Sequence, residues 1–215
     1  MWEQVKRILK PHGVFVTTAS QPFTSALVMS NLKWFRHEWM WDKKRTGNWG
    51  TAEIAPMRAH ESLIVFSAQS PQYSPQMQRW TDDEIKRKRK RVAIHSAYEG
   101  IGMAQRISPS REQQVLAGRH PDSVIRIPAL GSIDPERADH PTQKPVALYA
   151  YLIRTYTNAG DTVLDFCAGS GTTGVAAIKE GRNFVGVELD ADYFKIAEKR
   201  ISEAAMQPML LDVTA

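Results

Sequence analysis

The sequence predicts an α/β protein built on a parallel, doubly wound sheet. Three observations predict it. Residues 140–205 alternate helical and strand-like segments with short turns between them. A glycine-rich loop, GSGTTG at 169–174, follows an apolar strand-like run and opens a helix. Residues 1–68 show a helix and strand alternation of their own before a stretch of different character begins.

Each element has a local reason. Trp2, Val5, Ile8 and Leu9 lie at helical spacing, and Pro11 and Gly13 stop that helix. "VFVTTA" at 14–19 reads as a buried strand, and Pro22 opens a second helix over 22–31. "WFRHEWMWDK" at 34–43 alternates aromatic and polar residues as a half-buried strand does. A long polar loop with two glycines is expected over 43–57, then a strand at 61–68. "QSPQYSPQ" reads as a linker, and Thr81 can cap a helix whose first turn holds Asp82, Asp83 and Glu84. Residues 96–139 scatter glycine, proline and charge, with "VIRIP" the only strand-like piece, as an inserted module would. After the turn "HPTQKP" at 140–145, a helix is expected over 146–157 with Leu148, Leu152, Ile153 and Tyr156 on one side. Strand "DTVLDF", helix 171–180, strand "NFVGVELD" and helix 191–205 follow, with "PMLLDV" at 208–213 a candidate further strand.

Composition narrows the class. The chain has 215 residues, 42% hydrophobic and 24% charged, with no apolar run of membrane-spanning length and no signal-peptide core. A cytoplasmic protein is expected. The single cysteine, Cys167, excludes an internal disulfide and fits a reducing compartment. No metal site is expected. Net charge is +5, and Lys86, Arg87, Lys88, Arg89, Lys90 and Arg91 form an unbroken basic run. Such a run suits polyanion binding or a solvated helix face equally well.

The glycine loop carries the chemistry. Taken literally it fits the dinucleotide pattern G-x-G-x-x-G, and Glu188 ends the next strand, where an acid can accept hydrogen bonds from both hydroxyls of a ribose. The unit therefore suits an adenosine-containing cofactor. Asp165, just before the loop, would repel a pyrophosphate but favours a cofactor with a sulfonium and an α-ammonium group. The unit also lies close to the C-terminus, with little room for a second nucleotide-binding half. S-adenosyl-L-methionine is thus preferred over a nicotinamide dinucleotide.

"HPTQKPVALYAYLIRTYTNAGDTVLDFCAGSGTTGVAAIKEGRNFVGVELDADYFKIAEKRI", together with "ILKPHGVFVTTA", "FRHEWMWDK" and "HESLIVF", closely resembles the DNA amino-methyltransferases of the β arrangement. That family modifies adenine N6 or cytosine N4. The resemblance implies a Rossmann-like methyltransferase sheet with a catalytic portion at 1–69, an inserted target recognition region at 70–138 and a cofactor-binding half at 139–215. It implies that Asp165, Phe166, Gly169, Gly171 and Thr172 line the methionine side of the cofactor. Glu188 would hold the ribose, and His140, Thr142, Lys144 and Pro145 would close the site. Double-stranded DNA is the implied partner, with the run Lys86 to Arg91 on phosphates. Trp80, Arg106, Arg111, Gln113, Arg119 and Arg126, with Arg79, are the implied candidates for reading base edges. The target base would have to be flipped out of the duplex. Cys167 sits inside the cofactor loop, which argues against cytosine C5 chemistry.

One part of the family pattern is absent. Its catalytic signature, Asp, Asn or Ser followed by Pro-Pro and an aromatic residue, does not occur, and no Pro-Pro pair exists in the chain. No catalytic residue can therefore be named. The resemblance puts the missing strand between those at 14–18 and 162–166, so the sheet is expected to lack a central strand. Three readings stay open: an amino-methyltransferase whose missing part lies upstream or on a separate polypeptide, a DNA- or cofactor-binding remnant, and a small-molecule methyltransferase with an unrelated insertion.

Overall fold

The computed structural model describes residues 1–47, 49–87 and 118–206. Helix α1 (Trp2–Ile8) leads into strand β1 (Phe15–Ala19), helix α2 (Phe23–Ser30), strand β2 (Phe35–Gly47) and strand β3 (Arg58–Phe66). Strand β4 (Val124–Arg126), helix α3 (Val146–Tyr156), strand β5 (Thr162–Asp165), helix α4 (Thr172–Lys179), strand β6 (Asn183–Gly186) and helix α5 (Ala191–Met206) complete the order. The segment "PMLLDV" lies outside the described residues, as do Lys88, Arg89, Lys90, Arg91, Arg106, Arg111 and Gln113.

The strands form a four-stranded sheet in the order β1-β3-β2-β4 and a two-stranded sheet, β5-β6. The expectation of a parallel sheet is corrected here: β3 runs antiparallel to both β1 and β2, while β2–β4 and β5–β6 are parallel. The reason is local. β2 and β3 are consecutive and joined by a short excursion through a 3₁₀ turn at Trp49–Thr51, so they pair as a hairpin. β2 also runs on to Gly47, opposite Arg58, through residues expected to be loop.

β1 and β5 each stand at the edge of a sheet. Among the described residues β1 pairs with β3 alone and β5 with β6 alone. Phe15 of β1 and Phe166, just past β5, stack with ring centroids 6.1 Å apart and planes at 14°.

Packing explains how the two sheets share one body. Alternate residues of β3 serve opposite faces: Leu63 and Val65 pack with Trp39, Trp41 and Ile125, while Ile64 and Phe66 pack with Leu27 of α2. Helix α3 has two buried sides. Leu148, Leu152 and Tyr156 lie on the first of these clusters, and Ala150 and Ile153 pack with Ala176 and Ala177 of α4 and against Val163 and Phe184. The other face of the small sheet is open, with Leu164 42% and Val185 50% exposed.

Tyr156 knits α3 to β2. Its hydroxyl accepts from Trp39 Nε1 at 2.5 Å and meets His37 Nε2 at 2.6 Å. Burial pushes the phenol well above its ordinary range. Replacing Tyr156 with Phe strands the buried indole N–H and is expected to cost about 1–3 kcal/mol, measured as a lower urea midpoint with unchanged slope.

Residues 75–122 form a second compact unit, of which 75–87 and 118–122 are described. This unit lies inside the stretch 70–138. β4 belongs to the main sheet through its pairing with β2, and Trp41 Nε1 donates to the Ile127 carbonyl at 2.7 Å. Within the second unit Gln78 and Arg119 form an isolated antiparallel bridge. Thr81 caps the helical turn as its sequence suggests: the Glu84 N–H reaches Thr81 Oγ1 at 3.3 Å, and Glu84 Oε2 accepts from the Thr81 N–H at 2.8 Å.

Candidate functional site

The glycine loop is held in shape from three directions by charged side chains. Asp165 ends β5, and its two oxygens accept from the Cys167 N–H at 3.0 Å and the Thr173 hydroxyl at 2.6 Å, so it spans the loop from within. Glu188, two residues past β6, accepts from the Gly169 N–H at 2.6 Å and the Asp190 N–H at 3.0 Å. Arg200 of α5 reaches in from behind, donating to the Ser170 carbonyl at 2.5 Å and to Thr172 Oγ1 at 3.2 Å, with a longer contact of 3.5 Å to the Glu136 carbonyl.

Two glycines are required for different reasons. Gly169 has φ +51, and a Cβ there would lie 2.8 Å from His140 Nε2. Gly174 sits where a Cβ would meet Ile201 and Phe184 at 2.5 and 2.7 Å. The third glycine of the pattern thus serves helix packing rather than a pyrophosphate.

A cavity of 580 Å³ opens in front of the loop, lined by His140, Thr142, Cys167, Gly169, Glu188, Leu189, Asp190 and Tyr193. Its size falls within the range of about 300–1,000 Å³ common for small-molecule sites. Four of the expected cofactor residues, His140, Thr142, Gly169 and Glu188, are in the wall. The other six are not in its wall. Gly171 and Thr172 build the start of α4, and Phe166 stacks on Phe15. Lys144 turns to Glu61 at 3.6 Å, and Pro145 is buried at the start of α3. Asp165 is occupied with the loop, although each of its oxygens keeps a second lone pair.

Three lining residues escaped the sequence reading, Leu189, Asp190 and Tyr193, while Cys167, expected inside the loop, also lines the cavity. A signal existed for two of them. Asp190 precedes α5, and its Oδ1 accepts from the Asp192 and Tyr193 N–H groups at 2.9 and 3.0 Å, an ordinary helix cap. Tyr193, in the first turn of that helix, meets the His140 ring edge-on at 4.5 Å. At the start of α3, Glu136 Oε1 accepts from the Val146 N–H at 2.6 Å.

Electrostatics match the arrangement. The backbone N–H groups of Asp190 and Gly169 hold the Glu188 carboxyl below the usual glutamate range, so it is ionised at neutral pH. Burial, with Asp165 and Glu188 nearby, pushes the Cys167 thiol up, so it is no ready thiolate nucleophile. Burial lowers the Arg200 guanidinium from its ordinary value, a measure of how far it is drawn in. Arg200→Met is expected to weaken cofactor affinity about tenfold by loosening the loop, with Arg200→Lys unable to reproduce the fork. Titration calorimetry checks both.

The residues fit an adenosine cofactor. An ionised acid stands two residues past β6, Gly169 lines the cavity with His140 packed on it, and His140 Nδ1 is a buried polar atom without a partner among the described residues. Of the expected DNA contacts, Arg79, Lys86 and Arg87 are exposed, Trp80 and Arg119 are half-buried, and Arg126 lies exposed on β4.

A strand, a glycine loop and a strand-end acid around a small-molecule cavity define a nucleoside-cofactor-binding α/β protein. The sequence profile of the DNA methylase family matches residues 1–199. The chain belongs to that family. It is 42% identical over 85 residues to the DNA adenine methyltransferase YhdJ of Escherichia coli (strain K12), 40% of this chain and 29% of that protein. It is 38% identical over 80 residues to the type II methyltransferase M2.MboI of Moraxella bovis, 37% of this chain and 29% of that protein. With the type II methyltransferase M.HpaI of Haemophilus parainfluenzae, identity is 23% over 93% of this chain and 56% of that protein. The matches therefore span well under two thirds of these relatives. The fold is similar to that of the M1.HpyAVI–SAM complex (TM-score 0.62, 22% identity, 92% of this chain and 78% of that one). It is also similar to that of the cytosine-N4-specific PvuII DNA methyltransferase (TM-score 0.59, 19% identity, 96% and 67%).

Proposed function

We propose that this chain is the cofactor-binding and DNA-engaging part of an S-adenosyl-L-methionine-dependent DNA amino-methyltransferase, acting on adenine N6 or cytosine N4 of double-stranded DNA. The observation that carries this is the ionised Glu188 at the rim of the cavity beside Gly169. Family membership and relatives named as type II methyltransferases support the DNA substrate and a restriction–modification setting.

Each residue has a task in this reading. Glu188 accepts from the ribose hydroxyls. Gly169 admits the cofactor close to the backbone, and His140 and Tyr193 close one side. Asp165, pinned by Cys167 and Thr173, adds negative charge beside the cationic end of the ligand. When bound, S-adenosyl-L-methionine supplies a methyl group activated on a sulfonium.

The edges of β1 and β5 favour a finer reading. A strand bearing the Pro-Pro signature, from another segment or a separate polypeptide, fits between them and presents the target amino group. No helix among the described residues is long and apolar enough to cross a membrane, and a cytoplasmic enzyme fits the DNA substrate.

The test is transfer of labelled methyl to duplex DNA, by the chain alone and with a polypeptide carrying that strand, followed by digestion to nucleosides. Label in N6-methyladenine or N4-methylcytosine with the strand present is expected. Cofactor binding without transfer in either form would favour the DNA- or cofactor-binding remnant.

A further inference from the structure

We propose that the tip of the β2–β3 hairpin is a second DNA-contacting surface, separate in the chain from the basic run at 86–91; this rests on the reading of DNA as substrate. The hairpin tip combines two features that neither the core nor the cofactor cavity uses. The first is exposed apolar surface: Trp49 is 73% and Ile54 85% exposed. The second is charge. Lys44, Arg45 and Arg58 are all exposed around it, Lys44 with its ammonium on Asp42 at 2.8 Å, and Glu53 is the one exposed acid between Lys44 and Arg58. An indole with cations beside it fits nucleic acid: the cations meet phosphates, and the ring stacks on or wedges beside a base.

Position supports the assignment. The segment 131–145 touches both the hairpin base and the cofactor loop. Gly131 makes room for the Arg45 guanidinium, which would lie 2.9 Å from a Cβ there. Lys144 pairs with Glu61 of β3 at 3.6 Å, and Glu61 also pairs with Lys43 of β2. His140, from the same segment, packs on Gly169. One segment thus contacts both the base of the hairpin and the loop beside the cavity. β2 extends past its last pairing with β4, Asp42 opposite Arg126, before it turns at the exposed Trp49.

The occupant proposed is duplex DNA, with Lys44 and Arg58 on phosphates and Trp49 against a base. The experiment measures binding of a fluorescent duplex by anisotropy across a salt series, using the full chain, Trp49→Ala and Lys44→Ser/Arg58→Ser. The charge variant is expected to lose about tenfold in affinity and to reduce the salt slope by about 2. Trp49→Ala is expected to lose about tenfold with the slope unchanged. Both variants should bind S-adenosyl-L-methionine like the parent in calorimetry, since none of the three residues lines the cavity. Parent-like DNA affinity in both variants overturns the hairpin assignment and leaves the DNA reading standing. Absence of DNA binding by the parent, with cofactor binding intact, overturns both. A parent dimer in sedimentation that Trp49→Ala dissolves assigns the tip to a second copy of the chain and overturns the proposal.

Discussion

Replacing Glu188 with alanine is expected to lower affinity for S-adenosyl-L-methionine roughly 100-fold, the loss of two charge-assisted hydrogen bonds at about 1.5 kcal/mol each. The same carboxylate also receives the Gly169 and Asp190 N–H groups. Its removal therefore takes away a ligand acceptor and leaves two loop amides without their partner. Titration calorimetry reads the effect, and unchanged affinity would remove Glu188 from the site. The pH dependence has a definite sign. The folded-state pKa is depressed, so the stabilisation Glu188 gives is fully present above the unfolded value near 4.3 and is lost as pH falls through the lower folded value. Cofactor affinity in the parent should hold as pH falls through the ordinary glutamate range, apart from losses shared with the alanine variant.

Supplying the strand proposed to lie between β1 and β5 is expected to have the largest effect on the fold itself. The outward backbone groups of β1 and β5 have no strand partner among the described residues, and such edges are receptive to an added strand. Hydrogen exchange at residues 15–19 and 162–165 should slow together, by about 100-fold or more, when a strand-bearing polypeptide binds. Exposed Leu164 and Val185 should become protected from solvent if that polypeptide also brings a covering layer. Protection of one strand without the other would mean that the segment docks on an edge and does not bridge the two sheets.

The legible parts were those governed by local rules. Thr81 with Glu84, the helix starting after Pro145, and Leu148, Leu152, Ile153 and Tyr156 buried on α3 all follow from capping or periodicity. The strand direction of β3 was not legible, because alternation of apolar residues is the same in either direction and direction depends on the connection. The site divided along the same line. Glu188 and Gly169 stand where a strand end and a tight loop must put them. Leu189 reaches the cavity through the path of the chain after β6, which no spacing rule reports, while Asp190 and Tyr193 come with the capped start of α5. Lys144 was drawn to Glu61, some 80 residues earlier in the chain, a partner visible only once α3 lies on the four-stranded sheet.

Helix α3 has a consequence for how the protein melts. Leu152 packs with the four-stranded sheet and Ile153, its neighbour in sequence, with α4 and the small sheet. Successive side chains of one helix thus transmit order between two sheets that share no ladder. Unfolding of either sheet removes a wall from the same helix, so the two halves are expected to lose structure in one cooperative transition. Cooperativity in this body is carried by side-chain packing across a helix, where a continuous sheet would carry it by backbone hydrogen bonds.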